Sequence, residues 1–176
     1  GCYMNGTIYV VGGLQALGDG EGTPAQFVPD MLAYDVAGNT WSTMTAPPSL
    51  VSNARVVCDA DADLVYVLGG WVDVDGDGAF ELVGDETPDN EDNSIPIIQV
   101  YDATADSWDD TLTAADTAFV DAMVALVDGE IIVAGGNFQE YQEDTSTWGY
   151  FITRATSIYD IATDTWREGG FMEDFL

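Results

Sequence analysis

Ile8-Tyr9-Val10-Val11-Gly12-Gly13, followed by Tyr34-Asp35 and Trp41, is a string that this chain writes three times. The second copy is Val65-Tyr66-Val67-Leu68-Gly69-Gly70 with Tyr101-Asp102 and Trp108. The third is Ile131-Ile132-Val133-Ala134-Gly135-Gly136 with Tyr159-Asp160 and Trp166. Tyr and Trp stand seven apart in every copy, whereas the tryptophans themselves are 67 and then 58 apart. A constant core with variable spacing means a fixed structural unit carrying loops of different length.

The segments around these landmarks are short, rich in β-branched and aromatic residues, and bounded by Gly, Asp and Asn. No long helical period interrupts them, so they read as strands. Asn5-Gly6 and Asp128-Gly129 sit at equivalent places and suit two-residue hairpin turns. The second copy has the longer Asp59-Ala-Asp-Ala-Asp63 there. The Asp after each Tyr, and Asn39, Asp106 or Asp164 further on, suit side-chain-to-backbone bonding across a turn. The tyrosines and tryptophans are read as structural, each Trp offering a broad apolar face to bury.

The string resembles the kelch repeat, whose unit is one four-stranded blade of a β-propeller. The resemblance covers nearly the whole chain. It implies an all-β fold with three blades: about 1–46, 53–111 and 120–168, with 169–176 as a tail leading toward a next blade. Propellers carry four to eight blades. Three therefore predict either part of a six- or seven-bladed ring or half of a homodimeric one. Alone they would leave two apolar flanks open.

Charge narrows the partners. Three cations (Arg55, Arg154, Arg167) face 32 acids, with no His, for a net charge of −29. Nucleic acid and anionic membrane surfaces are poor partners for such a field. Self-repulsion at this density calls for salt or divalent cations, which predicts a high-salt or marine setting and favours an extracellular or cell-surface location. No apolar run approaches the roughly 18 residues of a membrane span. Cys2 and Cys58 fall at near-equivalent first-strand positions of adjacent copies, with Ala125 in the third. They are read as small apolar residues near the ring centre in preference to a disulfide.

One segment carries metal chemistry: Asp73-Val-Asp75-Gly-Asp77-Gly-Ala79-Phe-Glu81, directly after Trp71. Calcium takes six to eight oxygens, and alternating carboxylates on a tight loop supply three from five residues. Ala79 offers a carbonyl, Glu81 a further carboxylate, and Asp85 or Glu86 could complete the shell. The segment resembles the calcium hairpins of integrin-type propellers. Gly84 occupies the twelfth position where an EF-hand needs a bidentate Glu. The expected cofactor is Ca²⁺, with no organic cofactor.

Without His no Ser-His-Asp arrangement can form within the chain, and imidazole-based zinc and copper sites are absent. No catalytic residue is nominated. The long loops after each diglycine (14–30, 71–95 and 137–154) share one end of a propeller, and loops on rigid scaffolds commonly hold function. Trp71, Phe138, Tyr141, Trp148, Tyr150 and Arg154 are the candidate partner-binding residues, and Phe151 reads as packing. The expectation is a non-catalytic, calcium-stabilised module binding protein or carbohydrate. The alternative is part of a secreted kelch-type enzyme, a copper radical oxidase or a sugar-acting hydrolase or isomerase, with its catalytic residues in other blades.

Overall fold

The computed structural model describes residues 1–18, 25–72, 79–80, 98–113, 120–142 and 147–172. Among them every regular element is a strand. The first copy contains β1 (Cys2–Met4), β2 (Thr7–Val11), β3 (Leu14–Ala16), β4 (Ala25–Phe27), β5 (Met31–Asp35) and β6 (Thr40–Met44). The second contains β7 (Val51–Ser52), β8 (Arg55–Asp59), β9 (Leu64–Leu68), β10 (Trp71–Val72), β11 (Ala79–Phe80), β12 (Ile98–Asp102) and β13 (Ser107–Asp109). The third contains β14 (Met123–Val127), β15 (Glu130–Ala134), β16 (Asn137–Gln142), β17 (Thr147–Ile152), β18 (Thr156–Asp160) and β19 (Thr165–Glu168).

Three antiparallel four-stranded sheets repeat one order: β1-β2-β5-β6, β8-β9-β12-β13 and β14-β15-β18-β19. These are blades, and the fold is an all-β propeller arc. The turns are those the sequence predicts. Asn5 and Gly6 take φ of 48° and 90°, Asp128 and Gly129 of 50° and 81°. Asp35, Asp59, Asp102 and Asp160 each accept backbone N–H bonds from residues two or three further on. Both glycines of each pair adopt positive φ, and at Gly70 (94°) a Cβ would lie 2.5 Å from the Ser52 carbonyl oxygen. Only glycine fits that approach.

Side chains alternate between two faces of each blade. The face toward the next blade is here the trailing face, the other the leading face. Met4, Tyr9 and Met31 on the trailing face of blade 1 pack with Val65, Val67 and Tyr101 on the leading face of blade 2. Tyr66, Leu68 and Ile98 then pack with Ile131, Val133 and Tyr159 of blade 3. Each such side chain contributes about 1.5–3 kcal/mol when fully buried. These buried clusters hold each sheet against the next.

Two expectations are corrected. Cys2 and Cys58 form a disulfide, with Cα atoms 5.7 Å apart. Their positions are offset by one residue: Cys2 lies opposite Tyr9, whereas Cys58 lies opposite Val65, whose counterpart in blade 1 is Ile8. A one-residue shift along a strand turns a side chain to the other face. Cys2 thus points from the trailing face of blade 1 and Cys58 from the leading face of blade 2, and they meet. The second correction concerns Trp41, which is 58% exposed and not buried between blades.

Candidate functional site

The repeated Tyr and Trp build a clasp between blades. Tyr101 donates its hydroxyl to Asp106 Oδ1 at 2.7 Å, and the same oxygen accepts the Thr45 N–H at 2.9 Å. Trp108 donates its indole N–H to the Thr45 carbonyl at 2.8 Å. Blade 2 thereby grips both backbone groups of the connector leaving blade 1. Blade 3 repeats the grip: Tyr159 to Asp164 at 2.6 Å, Thr113 N–H to Asp164 at 2.9 Å, and Trp166 to the Thr113 carbonyl at 2.8 Å. Buried Gln99 adds a second hold on the first connector, accepting the Ser49 N–H at 2.8 Å.

These bonds set the local electrostatics. The Thr45 N–H, then the Tyr101 hydroxyl, hold the Asp106 carboxyl below the ordinary range. The Tyr159 hydroxyl, then the Thr113 N–H, do the same for Asp164. Burial first, then the bonded carboxylate, pushes the phenols of Tyr101 and Tyr159 far upward. Asp106 and Asp164 are structural residues that the sequence reading assigned only to a turn. The repeated Thr43-Met44-Thr45 and Thr111-Leu112-Thr113, just after Trp41 and Trp108, was the available signal for the other half of the clasp.

The long loops take two forms. In blade 3 the strands β16 and β17 make a hairpin in the register Gln139↔Tyr150 and Tyr141↔Trp148. Its root is fixed: Val120 and Asn137 exchange two backbone bonds of 2.8 Å, and Thr153 N–H donates to Gly136 at 3.0 Å. Residues opposite each other in an antiparallel ladder share a face. That rule puts Tyr141, Trp148, Tyr150 and Ile152 on one face, and Phe138 and Phe151 on the other. Ile152 is 87% exposed while Phe151 is half-buried. Arg154, exposed, follows the hairpin, and its carbonyl accepts the Met172 N–H at 2.9 Å.

In blade 2 the loop crosses to blade 1. Strand β10 pairs with β7, placing half-buried Trp71 opposite Ser52. Strand β11 instead joins the hairpin β3-β4, with Ala79 opposite Gln26 and Phe80 opposite Ala25. Of the five nominated calcium ligands only Ala79 belongs to the described residues; Asp73, Asp75, Asp77 and Glu81 lie outside them. Among the described residues no cluster of three acidic or cysteine side chains is arranged to hold a metal. Strands β10 and β11, the described neighbours of that string in sequence, pair one with β7 of blade 2 and the other with β4 of blade 1.

Comparison with known proteins supports the architecture. Residues 1–48 match the kelch motif. No curated protein matches the chain. Among solved structures it is similar to one described as "Structure of YjhT", with 16% identity and a TM-score of 0.69. The likeness covers 96% of this chain and 50% of that one, so the chain spans about half the length of that relative. At this identity the likeness speaks for the fold.

Proposed function

Starting from a kelch-type β-propeller scaffold, we propose that this chain is a non-catalytic binding module whose partner surface is the aromatic hairpin of blade 3. A propeller fold supplies a rigid platform and not chemistry. The observation that carries the proposal is the register that gathers Tyr141, Trp148 and Tyr150 on the face ending at exposed Ile152. Tyr and Trp give large contact areas at small entropic cost, to flat sugar rings or to protein side chains. Arg154 at the hairpin base, and Trp71 beside the start of blade 2, complete the candidate surface.

Calcium has a defined job in this proposal. Bound by Asp73, Asp75 and Asp77 with the Ala79 carbonyl and Glu81, it would offset part of the acidic charge where the blade 2 loop passes onto the blade 1 hairpin. The disulfide fits an oxidising, extracellular setting, and the charge of −29 fits a salty one.

The partner surface is tested with the intact chain on a glycan array and on a panel of extracellular proteins from the same source. Trp148→Ala should weaken a captured partner at least tenfold while leaving the thermal midpoint within about 2 °C, as hot-spot aromatics do. Unchanged capture would refute the surface. Calorimetric titration with Ca²⁺ tests the metal; absence of both heat and a chelator-induced fall in midpoint would remove it.

A further inference from the structure

The leading flank of blade 1 presents what blades 2 and 3 present to their predecessors, yet among the described residues nothing covers it. Tyr3, Ile8, Val10 and Trp41 are 65%, 37%, 36% and 58% exposed. Strand register puts all four, with Tyr34, on that one face. In blade 2 the counterparts Val65, Val67 and Tyr101 are at most 1% exposed. None of the strand residues on the blade 1 face is acidic, in a chain with 32 acids. Continuous apolar surface of this kind marks an interaction site.

The clasp on this flank is half made. Tyr34 donates to Asn39 Oδ1 at 2.6 Å, as Tyr101 and Tyr159 do to their aspartates. Among the described residues no connector lies against Asn39 and Trp41. At the other end of the arc, blade 3 turns its trailing face outward, with Met123 75% and Val127 47% exposed beside Ala125, Ile132 and Ile158. Gly170 follows Trp166 as Thr45 follows Trp41, and Phe171 as Thr113 follows Trp108, and Phe171 is 78% exposed.

We propose that a second copy of this chain occupies the flank. The trailing face of blade 3 in one copy seats on the leading face of blade 1 in the other, and two-fold symmetry repeats the contact to close six blades. The contact is continuous with two interfaces already present, since trailing-on-leading is the step by which blade 2 follows blade 1 and blade 3 follows blade 2. The described residues leave one face of each kind uncovered, so a copy is complementary to itself, as a closed two-fold assembly requires. The Gly170-Phe171 backbone of one copy then meets Trp41 and Asn39 of the other. With −29 on each copy, association strengthens with salt.

The disulfide supplies the test. By register, the counterpart of Cys2 in blade 3 is Ala125, and the counterpart of Cys58 in blade 1 is Tyr3. Tyr3→Cys and Ala125→Cys are made separately in the 176-residue chain, mixed in molar salt and oxidised gently. The expected result is a covalent dimer in the mixture and not in either variant alone. Light scattering of the unaltered protein should give twice the 18.8 kDa chain mass. Trp41→Glu should weaken the dimer at least 100-fold with the circular dichroism spectrum unchanged; Ile8→Asp serves if it does not fold. A single-chain mass with no cross-link in the mixture would overturn the proposal, as would an open-ended ladder of species.

Discussion

Trp41 and Trp108 occupy the same place in the same repeated string, yet one is exposed and the other half-buried with its indole N–H bonded to the neighbouring connector. Both rest at a tilt against their own tyrosine, at 4.9 and 5.2 Å between ring centres. The local sequence therefore dictates the Tyr–Trp contact, while burial depends on what lies alongside the blade. In a repeat architecture a residue's energetic weight belongs to the interface and not to the motif.

The largest expected break in this contrast is covalent. Only the filled side of blade 1 carries the disulfide, which closes a loop with a separation of 56 residues. Cys58→Ser should lower the unfolding free energy by about 4 kcal/mol on the loop-entropy account, read by urea denaturation. Next comes the indole itself. Trp108→Ala should cost about 3 kcal/mol by cavity formation and loss of the Thr45 bond. Trp41→Ala in the monomeric chain should cost about 0.5 kcal/mol. Equal costs in the two variants would dissolve the comparison. Gly70→Ala, forced against the Ser52 and Ala54 backbone at positive φ, should cost at least about 1 kcal/mol; a neutral result would mean that the strand junction can move aside.

The smallest effect is set by pH. The carboxyls of Asp106 and Asp164 are held below their ordinary value in the folded chain. Their contribution is thus present above the unfolded carboxylate range and fades as pH falls through the lowered values. Blade 1 has Asn39 in this place and contributes no such term. Asp106→Asn should accordingly flatten the acid limb of a midpoint-against-pH curve, and an unchanged acid limb would assign that sensitivity to other carboxylates.

What could be read from sequence was local. The diglycines, the Asn5-Gly6 and Asp128-Gly129 turns and the Tyr–Trp register depend on residues a few positions apart, so the repeated string exposes them. The pairing of Cys2 with Cys58 was missed because a one-residue offset, invisible when copies are aligned loosely, decides which way each sulfur points. The crossing of β11 onto β4 joins residue 79 to residue 26, a pairing that periodicity does not encode. The candidate surface was legible as a cluster of aromatics. That Tyr141, Trp148 and Tyr150 share one face required the hairpin register.

The Cys2–Cys58 bond also decides how the molecule answers to force. A pull on its two ends passes from Cys2 straight to Cys58, so the residues between them bear no tension and blade 1 cannot be drawn out. Extension must come from the hydrogen-bonded ladders of blades 2 and 3 beyond residue 58. Under oxidising conditions the length that can be drawn out is thus limited, and reduction would release the segment stored behind the sulfur bridge.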